Sequence, residues 1–178
     1  MNKSIKAAQG GFTLIELIVV IVILGILAAT ALPKFASLSG EARLASLNAA
    51  KGSLSATSAM THGKYLVAPS ATIAVEGTNV TMNTTSGYPA VIDQPTGNAL
   101  ATAAGLSTTD YTVYVAATVA TNKPAVAANQ LAIVPASIAG TAKGLTCFVL
   151  YTASTAANTA PTITVGSPTN RAAANACE

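Results

Sequence analysis

The sequence predicts an α+β protein in which a long N-terminal helix precedes a C-terminal antiparallel β-sheet. The run from Phe12 to Leu32 is 21 residues long, and its single charged side chain is that of Glu16. Residues 34–64 keep apolar side chains at three- and four-residue steps, as a helix that packs along one face requires. From about residue 66 onward, short β-like runs alternate with Gly, Pro, Asn and Ser.

The apolar run is long enough to cross a membrane. At about 1.5 Å per residue it spans roughly 30 Å, the thickness of a bilayer's hydrocarbon core. Lys3 and Lys6 precede it without any acidic residue, which predicts a cytoplasmic N-terminus and an exported remainder. The alternative is a secretory signal peptide cleaved at Ala29-Thr30-Ala31, although Leu32-Pro33 follows that site at once. The carboxylate of Glu16 is costly in such a helix, so we expect it to have a partner.

The segment Gly11-Phe12-Thr13-Leu14-Ile15-Glu16 resembles the prepilin processing motif of type IV pilins and of the related type II secretion pseudopilins. In that family a membrane peptidase cleaves after the glycine and methylates the new N-terminal phenylalanine. The resemblance, which covers residues 8 to about 60, implies cleavage between Gly11 and Phe12 and the pilin fold of a stalk helix with a β head. The later Gly87-Tyr88-Pro89 and the cysteine pair resemble the mannose-sensitive haemagglutinin type of pilin.

The resemblance implies three parts of the chain. These are a leader peptide (1–11), a long helix (12–64) whose first half (12–33) serves membrane and filament core, and a globular β head (65–178). Cleavage would leave 167 residues and lower the formal charge from +3 to +1. The implied partners are the prepilin peptidase, the assembly machinery of the inner membrane, membrane lipid before assembly, and then copies of the same chain in an extracellular filament. Only 8% of residues are charged and no Lys or Arg run occurs, so no specific nucleic-acid partner is predicted.

Glu16 gains a role from the resemblance. Cleavage would create a cationic amine on Phe12, about one helical turn away from the Glu16 carboxylate. In the family, the glutamate of one subunit is understood to align with the amine of a neighbour during filament growth. Such pairing in a low dielectric is directional, because a misaligned subunit leaves both charges unpaired. The alternative is a carboxylate that only reaches toward the membrane surface.

Gly25 and Pro33 stand where family members carry helix-weakening residues. Proline has no N–H and crowds the carbonyl four residues earlier, and glycine costs up to about 1 kcal/mol relative to alanine in a helix. We therefore expect residues 25–33 to be a segment that stretches when the helix leaves the bilayer; the alternative is a simple bend.

The second half of the helix is predicted to have one face of small apolar residues, widened by Leu44, Leu47 and Leu54. The helix is expected to stop at Gly63, with His62, the single histidine, solvated near its end. The small face comprises Phe35, Leu38, Ala42, Ala45, Ala49, Gly52, Ala56 and Met60.

Within the head, Thr72–Glu76 and Asn79–Met82 are predicted to form a hairpin around Gly77-Thr78. Gly97–Gly105 is expected to be a short helix or a loop. Further strands are predicted at Tyr111–Val115, Leu131–Val134, Thr146–Tyr151 and Thr162–Val165. The resulting sheet is expected to lay its apolar face over the second half of the long helix.

The two cysteines, Cys147 and Cys177, fit an exported protein with a disulfide bond. Closing a loop of about 31 residues would stabilise the head by roughly 3–4 kcal/mol on the loop-entropy model. A metal site and a catalytic thiol are the alternatives, but the sequence offers neither C-x-x-C nor a nearby His. No Asp or Glu lies between the cysteines, so the calcium site common in major pseudopilins is not expected.

Three classes of function remain open from the sequence. The favoured one is a structural type IV pilus subunit for adhesion, aggregation or twitching motility. The second is a type II secretion pseudopilin or a minor pilin. The third, a membrane-anchored enzyme, is disfavoured because there is no G-x-S-x-G, and the aspartates Asp93 and Asp110 have one distant His62. No cofactor or metal is predicted.

Overall fold

The computed structural model describes residues 13–116, residues 122–166 and Cys177. These residues have the α+β fold predicted from the sequence, a long N-terminal helix followed by a four-stranded antiparallel sheet. The chain separates into two compact units, one ending at Leu38 and the other, here called the head unit, beginning at Ser39. In chain order the elements are α1 (Leu14–Val67), β1 (Thr72–Val75), β2 (Thr78–Thr81), α2 (Gln94–Ala103), β3 (Tyr111–Val115), β4 (Gln130–Pro135), two 3₁₀ helices (Ala136–Ile138 and Ala142–Leu145), β5 (Val149–Thr152) and β6 (Thr162–Val165).

Helix α1 continues for one turn beyond the predicted stop at Gly63, so that prediction is wrong. The last turn is held by the head unit. The hydroxyl of Tyr65 donates a hydrogen bond to the carbonyl of Thr84, with an O···O distance of 3.0 Å. The helix ends at Val67, two residues before Pro69, because a proline cannot continue the helical hydrogen bonds.

The buried face of α1 within the head unit is the leucine face. Leu47 and Leu54 are fully buried, and Thr61 lies seven residues further along the same line. The predicted face of small residues, Ala42 to Met60, stays exposed in the isolated chain. Both stripes have helical spacing, and the leucines bury because each removes more apolar surface from water than an alanine does.

The four-stranded sheet is a meander in which each strand pairs with the next one in the chain. One row of its register joins Val113, Ile133, Val149 and Val165 across all four strands. Strand β5 begins at Val149 rather than at Thr146, which caps the second 3₁₀ helix.

One face of the sheet covers helix α1, as predicted. The Tyr111 hydroxyl on that face lies 2.6 Å from the Ser46 hydroxyl of α1. The opposite face carries Ala132 and Val134, which are also fully buried. A Cβ added to Gly144 in the second 3₁₀ helix would lie 3.4 Å from Val134, so this helix packs on the second face.

The hairpin β1–β2 is confirmed, and its turn is Glu76-Gly77. Val75 pairs with Thr78, which leaves a two-residue loop. Both loop residues have positive φ, +48° for Glu76 and +73° for Gly77. This is the type I′ geometry whose twist matches that of the two strands.

Helix α2 begins with a capping box. The Asp93 carboxylate accepts the backbone N–H of Thr96 at 3.0 Å, and the Thr96 hydroxyl accepts the backbone N–H of Asp93 at 3.0 Å. The N–H of Thr96, with a smaller contribution from its hydroxyl, holds the pKa of Asp93 below its ordinary value. Gly97 then lets the helix approach the sheet, since an added Cβ would lie 2.5 Å from Val115.

Candidate processing and assembly site

The first turn of α1 is closed by Thr13 and Glu16. Oε2 of Glu16 accepts hydrogen bonds from the backbone N–H of Thr13 at 2.8 Å and from its hydroxyl at 2.7 Å. In return the Glu16 N–H donates to the Thr13 hydroxyl at 3.3 Å. This is a capping box, which satisfies N–H groups that the start of a helix leaves without partners. Sequence reasoning missed this role, although the T-x-x-E spacing carries the signal.

Gly11 and Phe12, the residues of the predicted cleavage and methylation, lie outside the described residues. The described chain begins at Thr13, so the structure brings Glu16 together with Thr13 only. The pairing of Glu16 with an amine on Phe12 therefore remains a prediction from the sequence.

The first unit exposes a long apolar surface. Every residue from Thr13 to Thr30 is exposed in the isolated chain, including Ile15 at 64% and Leu24 at 58%. Among the described residues, α1 is the helix long and apolar enough to cross a membrane. An apolar surface of this extent is unfavourable in water, so it requires a cover of lipid or protein.

Gly25 and Pro33 both lie inside the continuous helix α1. The structure shows this segment in its helical state. A Cβ added to Gly25 would meet nothing within 4 Å in the isolated chain, so packing against the described residues does not require glycine there.

Comparison with known proteins gives one match at this end of the chain. Residues 6–32 match the family described as the prokaryotic N-terminal methylation motif. The chain carries a prepilin-type methylation motif. The match supports a type IV pilin-like or pseudopilin-like precursor, a structural class that is processed by prepilin peptidase, and it fits an inner-membrane precursor. It does not separate pilin from pseudopilin. No solved structure shows significant similarity to the chain.

The head unit of this pilin-like precursor contains the cysteine pair. Cys147 and Cys177 are joined by a disulfide bond with a Cα–Cα distance of 4.9 Å, and both residues are fully buried. Nη1 of Arg43, on α1, donates a hydrogen bond to the carbonyl of Cys177 at 2.9 Å. The disulfide and the guanidinium thus fasten the same residue to β5's approach and to the helix. Sequence reasoning did not single out Arg43.

His62 is not solvated as predicted. Its ring stacks on Tyr88 with 3.9 Å between ring centroids, and its Nδ1 lies 2.8 Å from the carbonyl oxygen of Gly87. A carbonyl only accepts, so Nδ1 carries the proton in this contact. His62 therefore fixes the loop before Pro89 on α1.

Tyr151 holds the other end of this loop. Its hydroxyl donates a hydrogen bond to the carbonyl of Pro89 at 2.9 Å, and the side chain is fully buried. Burial raises the pKa of Tyr151 well above its ordinary value, so the phenol stays protonated. Within the described part of the chain, no three His, Cys, Asp or Glu side chains are grouped to hold a metal ion.

Proposed function

We propose that this chain is the structural subunit of a type IV pilus. It is cleaved after Gly11, N-methylated on Phe12, and polymerised into an extracellular filament for surface adhesion, aggregation or twitching motility. The observation that supports this most is the coincidence of a methylation motif with a helix whose apolar side chains are exposed from residue 13 to 30. Lipid covers that surface before assembly, and the same helices of other subunits cover it afterwards.

Glu16 acts in this proposal as the residue that sets the register between subunits. An ionised carboxylate offers about four acceptor positions, and the capping box with Thr13 uses only part of them. The remaining acceptor positions are available to the amine of a neighbouring Phe12. The capping box supports this role because it holds the carboxylate at the first turn of the helix, close to the new N-terminus.

The segment from Gly25 to Pro33 allows the transfer from membrane to filament. Pro33 removes one N–H from the helix and Gly25 lowers the local helix propensity. We propose that this segment extends when the helix is drawn out of the bilayer. The helical state seen here corresponds to the membrane form.

The exposed face of small residues on α1 supports contacts between subunits. Ala45, Ala49, Gly52 and Ala56 are all exposed in the isolated chain, and small side chains allow a neighbouring helix to approach closely. A pilus is favoured over a secretion pseudopilus because no acidic residue lies between Cys147 and Cys177 to bind calcium. Gly87-Tyr88-Pro89, next to the disulfide-bonded head, is consistent with the mannose-sensitive haemagglutinin type.

The proposal is tested by isolating shed surface filaments and determining the N-terminus of their main protein by mass spectrometry. The expected result is a filament whose main component begins with N-methyl-Phe12. Cells that lack prepilin peptidase serve as the control and should retain a precursor longer by 11 residues. A chain that is processed at Phe12 but never found in surface filaments would instead indicate the pseudopilin.

A further inference from the structure

A cleft in the head unit lies between helix α1 and the chain segment that enters β6. Its volume is about 270 Å³. Lys51, Ser55, Ser58 and Ala59 of α1 form one wall, and Tyr88, Ala160, Pro161 and Ile163 form the other. A cleft of this size is larger than a single water requires, since a water occupies about 30 Å³ in the liquid. It is independent of the apolar helix on which the proposed function rests.

The polar groups of this cleft are donors arranged on one side of α1. Lys51, Ser55 and Ser58 are four and three residues apart, so their side chains lie along one face of the helix. None of the three makes a hydrogen bond or an ion pair with another described residue. The lining includes one cation and no carboxylate, which makes the cleft suitable for an anion.

Ser58 gives this cleft an unsatisfied polar group. Its side chain is only 3% exposed, and its hydroxyl has no hydrogen-bond partner. The hydroxyl of Tyr151 lies near enough to interact electrostatically but not in hydrogen-bond geometry, and it already donates to Pro89. A buried hydroxyl without a partner is unfavourable, so a bound group that satisfies Ser58 gains affinity.

We propose that this cleft binds a carboxylate. The Lys51 ammonium and the Ser55 and Ser58 hydroxyls donate to its two oxygens, and Pro161 with Ile163 packs against its carbon chain. One cation with two neutral donors matches the single charge of a carboxylate, whereas phosphate sites usually present several cations or backbone N–H groups. The carboxylate comes either from a small molecule in solution or from an acidic side chain of a second copy.

The test titrates the full-length chain in detergent with sodium acetate and sodium succinate, and with sodium chloride at equal ionic strength. The amide NMR signals of Ser55, Ser58 and Ala59 are followed. The expected result is a saturable shift with the carboxylates and none with chloride. Lys51→Met should weaken binding about tenfold and Ser58→Ala about fivefold, the losses expected for one charged and one neutral hydrogen bond. Lys64→Met, outside the cleft, should leave the affinity unchanged.

The two sources of the carboxylate are separated by carbodiimide, which joins an ammonium to a carboxylate in direct contact. A covalent dimer linked through Lys51 would assign the carboxylate to a second copy. Acetate binding without that crosslink would assign it to a small molecule. Equal shifts with chloride and acetate, or an affinity that Lys51→Met does not change, would overturn the proposal. Since Lys51 is exposed and Ser58 has no protein partner, neither variant should prevent folding.

Discussion

Nη1 of Arg43 donates a 2.9 Å hydrogen bond to the carbonyl of Cys177, across 134 positions of sequence. Arg43 lies in the second half of α1, and Cys177 lies at the C-terminal end of the disulfide. The contact therefore joins the helix to the closing residue of the head unit. Its loss should weaken the head even when the disulfide is intact.

Arg43→Met should lower the free energy of unfolding by about 1–2 kcal/mol, because the Cys177 carbonyl loses a charged donor in a partly buried site. Chemical denaturation of the full-length chain in detergent measures this change. Lys51→Met is the matched control, since it removes a cation of the same helix that has no described protein partner. Equal stabilities of the two variants would contradict the role of Arg43.

Cys147→Ser should cost more than the loss of Arg43. The disulfide closes a sequence separation of 30 residues. The loop-entropy model gives about 3–4 kcal/mol for such a loop. Thermal unfolding should show the same decrease for Cys177→Ser and for the wild type under reducing conditions. An unchanged melting temperature in all three samples would argue that the bond does not stabilise the head.

Gly11→Lys should leave an uncleaved precursor in the inner membrane, because the peptidase is expected to require a residue without a side chain at the cut. Mass spectrometry of the membrane fraction reports the N-terminus. Gly25→Ala, which changes a glycine inside the helix, should be processed normally. A normal Phe12 terminus in the Gly11→Lys variant would refute the predicted processing site.

Glu16→Gln should be processed normally but assemble poorly. Glutamine can still accept from Thr13, so the capping box is kept while the charge for the neighbouring amine is lost. Thr13→Ala makes the opposite change, because it removes the capping hydroxyl and keeps the carboxylate. Electron microscopy should therefore show abundant filaments for Thr13→Ala and few for Glu16→Gln. The reverse result would assign Glu16 a capping role rather than one in subunit register.

Gly87→Ala should destabilise the head by more than about 1 kcal/mol, because its φ of +72° disfavours any side chain. An added Cβ would also lie 2.9 Å from Cδ1 of Tyr65 and 3.1 Å from Nδ1 of His62. Gly63→Ala is the contrasting control, since that helical position has open space and alanine favours the helix. Thermal unfolding compares the two, and a Gly87→Ala variant as stable as Gly63→Ala would show that the loop readily adapts.

Most elements of the head could be predicted from local sequence, but their exact limits could not. Strand β3 and the hairpin stand out because β-branched and aromatic residues are followed by turn residues. The end of α1 was misplaced because the hydrogen bond from Tyr65 to Thr84 extends the helix past Gly63. The solvated role given to His62 failed for a related reason, since its partner Tyr88 lies in a distant loop.

The sequence by itself determined the character of the N-terminal segment. The apolar run, its single carboxylate at Glu16 and the motif at Gly11-Phe12 are local properties of consecutive residues, and no tertiary contact is needed to recognise them. Only the tertiary structure decided which face of α1 is buried and how the head is fastened. Two helical stripes competed, and the leucine stripe won because the sheet covers it. The bonds from Arg43 to Cys177 and from Tyr151 to Pro89 join residues far apart in the chain, where sequence spacing carries no signal.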